Sequence, residues 1–186
     1  MLEAFLVSTV VVAIGEIGDK TQLLALVLAA RYRRPLPIVC GIVVATLANH
    51  ALAGLLGAWV RSVVPEEYLR WLLAASFLAV ALWALKPDRH DEGTLGAGRF
   101  GVFTVTVASF FLAEMGDKTQ IATVMLAAQF ASLPAVIAGT TLGMLLADVP
   151  VVYLGRAAAA RVPLRPARIV AAVLFLALAA FALLAR

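Results

Sequence analysis

A seven-residue motif occurs twice in this chain, each time inside a long apolar run. Residues 16–22 read EIGDKTQ, and residues 114–120, 98 positions later, read EMGDKTQ. Ionisable side chains at bilayer depth are rare and costly, and those that occur face a bundle interior or an aqueous cavity along an ion or proton path. The duplicated acidic motif therefore predicts a membrane transporter whose site contains both copies.

Six apolar stretches are long enough to cross a membrane. About 20 apolar residues span the hydrocarbon core as a helix, and 63% of the 186 residues are hydrophobic. The stretches cover roughly residues 2–30, 35–60, 68–85, 100–128, 133–155 and 168–185. The predicted fold class is an all-α integral membrane protein with six transmembrane helices. So little sequence lies outside them that no soluble catalytic module, and hence no enzyme, is expected.

The two halves of the chain are related, and we expect them to be inverted. Alignment at the same offset also pairs Gly41 with Gly139. Each half holds three spans, an odd number, so the second half enters the membrane in the opposite sense. We predict two inverted-topology three-helix repeats, residues 1–85 and 100–186, joined by a polar cytoplasmic linker at residues 86–99. Such repeats place the substrate site near the midplane, at their interface.

The basic residues predict the orientation of the chain. Ten of the 15 Lys and Arg residues lie after the first, third and fifth spans, three lie on the opposite face, and two lie in the motifs. By the positive-inside rule the ten-residue face is cytoplasmic and both termini are outside. The net charge of +4 is attributed to this topology and not to nucleic-acid binding. A patch for anionic lipid or a partner protein is the alternative.

Four motif carboxylates are the predicted metal ligands: Glu16, Asp19, Glu114 and Asp117. On a continuous helix, the i, i+3 spacing within each motif projects both carboxylates from one face. These oxygen ligands suit Ca²⁺, Mn²⁺ or Mg²⁺, and the lack of thiolate and imidazole clusters disfavours Zn²⁺ and Cu⁺. Glycines in both motifs leave open whether the first and fourth spans are continuous or locally unwound.

The remaining polar motif residues are expected to support this site. They are Lys20, Thr21, Gln22, Lys118, Thr119 and Gln120. The lysines are expected to balance charge, because an ammonium group has no lone pair to donate to a metal. A purely structural alternative is an i, i+4 Glu–Lys ion pair within each motif. The threonines and glutamines are either neutral oxygen ligands or interhelical hydrogen-bonding groups.

Charge balance predicts how such a site works. Four ionised carboxylates and two lysines leave a net charge of −2, which one divalent cation or two protons neutralise. Since buried uncompensated charge is strongly unfavourable, an empty site takes up protons. We therefore predict metal/proton antiport, with Glu16 and Glu114 as primary ligand and proton-exchange groups and Asp19 and Asp117 as co-ligands.

Two further polar residues lie deep in apolar stretches. His50 in the second span aligns with Asp148 in the fifth. Asp148 is a candidate proton relay or gate residue, with an interface hydrogen bond as the alternative. His50 titrates in the physiological range and is a second relay candidate, with simple packing as the alternative.

The motif E-x-G-D-K-T, present twice in a short six-span chain with a polar central loop, resembles the calcium:cation antiporter-2 family. That family includes eukaryotic Golgi manganese/calcium transporters and bacterial manganese exporters. Its pattern is intact in both copies, at positions 16, 18–21, 114 and 116–119. The resemblance implies Mn²⁺ or Ca²⁺ transport out of the cytoplasm in exchange for protons, with the acidic motifs as the cation site and no prosthetic group. For so compact a chain it favours Mn²⁺ export across a bacterial inner membrane.

Two other functions use similar residues. A cation or proton channel would need the same carboxylates without strict coupling. An intramembrane aspartyl protease would use two facing aspartates, one within a G-x-G-D motif. The protease fits poorly, because a glutamate stands where that motif has its first glycine, and an adjacent lysine keeps each aspartate ionised. The oligomeric state is not predicted.

Overall fold

The chain folds into helices throughout the part that the computed structural model describes, which comprises residues 1–86, 101–154 and 164–184. This part contains eight helices and no strand, as the predicted all-α class requires. The helices are α1 (Leu2–Glu16), α2 (Lys20–Tyr32), α3 (Pro35–Val63), α4 (Glu66–Ala84), α5 (Val102–Glu114), α6 (Lys118–Gln129), α7 (Leu133–Leu154) and α8 (Leu164–Leu184). The predicted linker, apart from Lys86, lies outside the described residues.

Three of these helices are individually long and apolar enough to cross a membrane. They are α3, α4 and α7, whereas α5 and residues 168–184 form shorter apolar helices. Large apolar side chains such as Leu55 and Trp59 remain exposed on the outer surface of α3. Exposed apolar surface of this kind is suited to lipid, and the protein is transmembrane. The crossing of all six predicted spans and the inverted orientation of the halves stay predictions.

The predicted first and fourth spans are each broken in two at the motif. In the first, α1 ends at Glu16, Gly18 takes a φ of +79°, and Asp19 is the N-cap residue of α2. The backbone N–H of Asp19 donates to the carbonyl of Glu16 at 3.0 Å, which closes the turn. The i, i+3 arrangement expected of a continuous helix is therefore not formed, and the first span takes the locally unwound alternative. A glycine in the left-handed region and an aspartate N-cap interrupt the helix between them.

The second motif breaks in the same way. Here α5 ends at Glu114, Gly116 takes a φ of +74°, and Asp117 is the N-cap residue of α6. The N–H of Asp117 donates to the carbonyl of Glu114 at 3.1 Å. The question that the sequence left open is thus answered for both spans, which are unwound at the motif.

Equivalent glycines allow equivalent helix contacts in the two halves. Helix α7 packs against α1, and α3 packs against α5. A Cβ atom on Gly139 would lie 2.5 Å from the carbonyl oxygen of Phe5. A Cβ on Gly41 would lie 2.7 Å from Thr106 and 3.1 Å from the carbonyl oxygen of Phe103. Phe5 and Phe103 are themselves separated by the repeat offset, so the same close approach occurs twice.

Apolar packing on both sides holds the two breaks in the interior. Phe77 of α4 and Phe175 of α8 are fully buried in a cluster that also includes α6. Leu28, Ile42 and Phe110 are fully buried in a second cluster formed by α2, α3 and α5. Close packing of this kind fixes the positions of the polar groups between the clusters.

Candidate metal centre

Three of the four predicted ligands come together where the helix breaks meet. Carboxylate oxygens of Glu16, Asp19 and Asp117 all lie within 4.8 Å of one another. These residues are 0%, 1% and 3% exposed. Glu114 is also fully buried but does not belong to this group. Its carboxylate lies within electrostatic range of all three.

The ion pairs at the centre join the two motifs. Lys20 Nζ lies 3.1 Å from Asp117 Oδ1, and Lys118 Nζ lies 3.2 Å from Asp19 Oδ1. Because the helix is interrupted between Glu16 and Lys20, the i, i+4 geometry assumed for pairs within a motif does not exist. Each lysine instead lies beside the aspartate that begins the α2 or α6 helix of the other repeat.

The two glutamates have different surroundings although their motifs are nearly identical. Thr21 Oγ1 donates to Glu16 Oε2 at 2.6 Å, and Thr119 Oγ1 donates to Glu16 Oε1. Threonine hydroxyls from both motifs thus bind one carboxylate. Neither carboxylate oxygen of Glu114 has a hydrogen-bond partner in the described part of the chain. The centre is therefore asymmetric in this conformation.

Gln22 connects the first helix break to the opposite repeat. Its Oε1 accepts from the backbone N–H of Gly18 at 3.1 Å, and its Nε2 donates to the carbonyl of Ala147 at 3.1 Å. Ala147 lies on α7, three residues before Pro150, which is inside the same helix. The side-chain amide of Gln22 thus accepts a hydrogen bond from the backbone at the break and joins the break to α7.

Gln120 makes the equivalent connection in the second repeat. Its Oε1 accepts from the N–H of Gly116 at 2.7 Å, and its Nε2 approaches Asn49 Oδ1 on α3 at 3.4 Å. Asn49 in turn donates to the carbonyl of Phe111 at 3.0 Å. Sequence reasoning missed this role of Asn49. The available signal was an asparagine deep in the apolar second span, directly before His50.

Asp148 and His50 lie beside these two connections. Each is the next residue along its helix after the one that a motif glutamine contacts. Both are 0% exposed. Neither the carboxylate oxygens of Asp148 nor the ring nitrogens of His50 have a hydrogen-bond partner among the described residues. The carboxyl group of Asp148 lies within electrostatic range of those of Glu114 and Glu16.

The chemistry of the centre is that of a hard-cation site. Its buried donors are carboxylate, hydroxyl and amide oxygens, which suit Ca²⁺, Mn²⁺ and Mg²⁺. The C-terminal ends of α1 and α5, which favour positive charge, meet there with the N-terminal ends of α2 and α6, which favour the aspartates that cap them. A membrane protein with broken helices that meet at buried carboxylates has the architecture of an ion transporter.

Comparisons with known proteins agree with this class. The sequence matches the family described as divalent cation/proton antiporter GDT1 over residues 4–92 and 102–186, and the chain belongs to this family. It is 51% identical to the "Putative manganese exporter" of Vibrio cholerae, over 96% of this chain and 90% of that protein. It is 30% identical to the "GDT1-like protein sll0615" of Synechocystis sp., over 94% of each. No solved structure matches the chain.

Family membership confirms the resemblance inferred from the motifs. It also agrees at a general level with the prediction that the chain is a transporter and not an enzyme. The assignment of individual residues to metal binding stays a prediction.

Proposed function

We propose that the protein exports Mn²⁺ or Ca²⁺ from the cytoplasm in exchange for protons across a bacterial inner membrane, with both termini outside. The observation that carries this proposal is the cluster of three buried carboxylates drawn from both motifs. Buried carboxylates in such a cluster repel one another unless cations or protons neutralise them.

The proposed ligands are the carboxylates of Glu16, Asp19 and Asp117, with Glu114 completing the set during transport. The two lysines each neutralise one aspartate across the repeats. The remaining charge is that of the two glutamates, which one divalent cation or two protons balance. Metal and protons therefore exclude each other, and this exclusion is the basis of coupling.

The broken helices support alternating access. Discontinuous helices at a repeat interface are the usual site of substrate and coupling ions in transporters built from inverted repeats. Both breaks contain a left-handed glycine, and a glutamine beside each break contacts the opposite repeat. Movement of one repeat against the other would then expose the centre to one side at a time.

The choice of cation rests on two arguments. Oxygen ligands favour Mn²⁺, Ca²⁺ or Mg²⁺ over softer metals. The Vibrio cholerae relative is named for manganese, and we therefore propose Mn²⁺ as the main substrate.

Purified protein in liposomes tests this function. With an opposing pH gradient, external Mn²⁺ should enter, saturate with concentration and dissipate the gradient, as read by a trapped pH dye. Glu16→Gln combined with Glu114→Gln should abolish both signals. Glu3→Gln is the matched control, because Glu3 lies on the same helix as Glu16 but is exposed. Normal coupled uptake by the double variant would refute the proposal, and unsaturable uptake without proton movement would favour a channel.

A further inference from the structure

The two repeats differ at one equivalent, fully buried position. Residue 50 on α3 is histidine, and residue 148 on α7, one repeat offset later, is aspartate. Both side chains are 0% exposed. Their preceding residues, Asn49 and Ala147, are the ones that the motif glutamines contact. The helix register therefore places both positions beside the metal centre, but only one of them offers a carboxylate.

The carboxylate of Asp148 is unsatisfied where it lies. Neither oxygen has a hydrogen-bond partner in residues 1–86, 101–154 and 164–184, and the same is true of Glu114. Leaving a buried carboxylate without hydrogen bonds or a counter-charge is strongly unfavourable. A residue used only for packing would not need this group, since asparagine or leucine would fill the space at lower cost.

Asp148 is also electrostatically part of the centre. Its carboxyl group lies within electrostatic range of both Glu114 and Glu16. The contact of Gln22 Nε2 with the carbonyl of Ala147 fixes this part of α7 against the first helix break. Both lysines of the motifs already lie beside the aspartates Asp19 and Asp117. The structure thus presents Asp148 and Glu114 as carboxylates that still require a positive charge.

We propose that Asp148 is a direct ligand of the transported divalent cation, supplied by α7 in addition to the motif carboxylates, and that His50 has no such role. This inference rests on the proposed transport function. The proposed ligands then fall into two groups. The carboxylate of Glu16 already accepts hydrogen bonds from two threonines. Those of Glu114 and Asp148 accept none from the described residues. A hard divalent cation that passes between the repeats would bind Asp148 as an additional ligand when it approaches Glu114.

Binding of Mn²⁺ alone to the purified full-length protein in detergent tests this role. Isothermal titration should show that Asp148→Asn binds Mn²⁺ about tenfold or more weakly than the wild type. Removing a group that supports a metal site typically reduces metal affinity by about this factor or more. His50→Asn is the matched control, because it alters the equivalent position with the same burial, and its affinity should equal that of the wild type.

Thermal unfolding separates a ligand from a packing residue. Without metal, Asp148→Asn should melt no lower than the wild type, because the change removes a buried carboxyl group that has no hydrogen-bond partner among the described residues. The increase in Tm on adding Mn²⁺ should be reduced, since a ligand stabilises only in proportion to its binding. If Asp148→Asn does not fold, Asp148→Ser is measured with the same expectation for affinity.

The outcomes separate this inference from the proposed function. Wild-type affinity in Asp148→Asn, with binding still abolished by Glu16→Gln, would overturn the role of Asp148 alone. Equal weakening by Asp148→Asn and His50→Asn would also overturn it, because the effect would then be one of general packing. Absence of Mn²⁺ and Ca²⁺ binding in the wild type would overturn both proposals.

Discussion

Lys20 of the first motif forms an ion pair with Asp117 of the second, with 3.1 Å between Nζ and Oδ1. Lys118 and Asp19 form the reciprocal pair at 3.2 Å. Each motif therefore receives its counter-charge from the other repeat. Assembly of the centre and association of the two halves are for this reason one event.

Breaking the first of these pairs should destabilise the protein. Lys20→Met leaves Asp117, which is 3% exposed, without its cation, and we expect a loss of about 2–3 kcal/mol. In a double-mutant cycle, the double variant Lys20→Met with Asp117→Asn should lose less stability than the sum of the losses in the two single variants. Thermal unfolding in detergent measures both, with Lys86→Met, at an exposed site, as the control. Strict additivity would show that the pair contributes nothing.

Removing the amide of Gln22 should loosen the first helix break. Gln22→Leu leaves the N–H of Gly18 and the carbonyl of Ala147 without their partner, at a cost of about 1–3 kcal/mol. Hydrogen exchange should rise at Gly18 and in α7. Gln129→Leu is a suitable control, because neither polar atom of the Gln129 side chain has a hydrogen-bond partner in the described regions. Equal stability of the two variants would contradict the role assigned to Gln22.

The left-handed glycines should resist substitution for conformational reasons alone. A Cβ on Gly116 meets no atom within 4 Å, yet its φ of +74° disfavours any L side chain. We expect Gly116→Ala to lower stability by about 1–2 kcal/mol. Gly101→Ala serves as the control, since Gly101 has equally open surroundings and a φ of −62°. Similar melting temperatures for the two variants would argue against the helix break.

Two other glycines should respond in opposite directions. Gly139→Ala places a Cβ 2.5 Å from a backbone carbonyl of α1 and must push α1 and α7 apart, so we expect a loss of about 1–3 kcal/mol. Gly15 has only Phe175 near, at 3.9 Å, and the second repeat carries alanine at the equivalent position. Gly15→Ala should be neutral or stabilising by up to about 1 kcal/mol. Thermal unfolding of both variants tests this pair, and a stable Gly139→Ala would contradict the close approach.

Metal binding should weaken as the pH falls. Carboxylates must be deprotonated to bind metal, so metal binding releases the protons that the empty site holds. Titration of Mn²⁺ in buffers of different ionisation enthalpy should report net proton release on binding near neutral pH. The apparent affinity should be lower at acidic pH than at neutral pH. Binding without proton release would contradict proton exchange at these carboxylates.

The sequence was sufficient for the helical class and the family, because long apolar runs and a duplicated motif are visible without a structure. The assignment of the motif carboxylates as metal ligands stays a prediction. The sequence did not predict the helix breaks, since an E-x-x-D spacing is equally compatible with a continuous helix. The break depends on the φ of Gly18 and on the contact of Gln22 with α7. Such a contact joins residues 125 positions apart, and no local pattern encodes it.

The different hydrogen bonding of Glu16 and Glu114 could not be predicted from the sequence either, because their motifs differ at only one residue. It arises from which carboxylate the two threonines bind, and that depends on the relative position of the repeats. A pattern common to both copies predicts the symmetric features of the centre. The asymmetric ones come from tertiary structure.

The difference between His50 and Asp148 bears on the origin of the chain. Two copies of one unfused half, assembled as an antiparallel homodimer, would necessarily carry the same residue at both positions. A histidine in one half and an aspartate in the other are possible once the two halves are encoded separately and can mutate separately. Separate mutation of the halves thus allows the two sides of the centre to differ chemically.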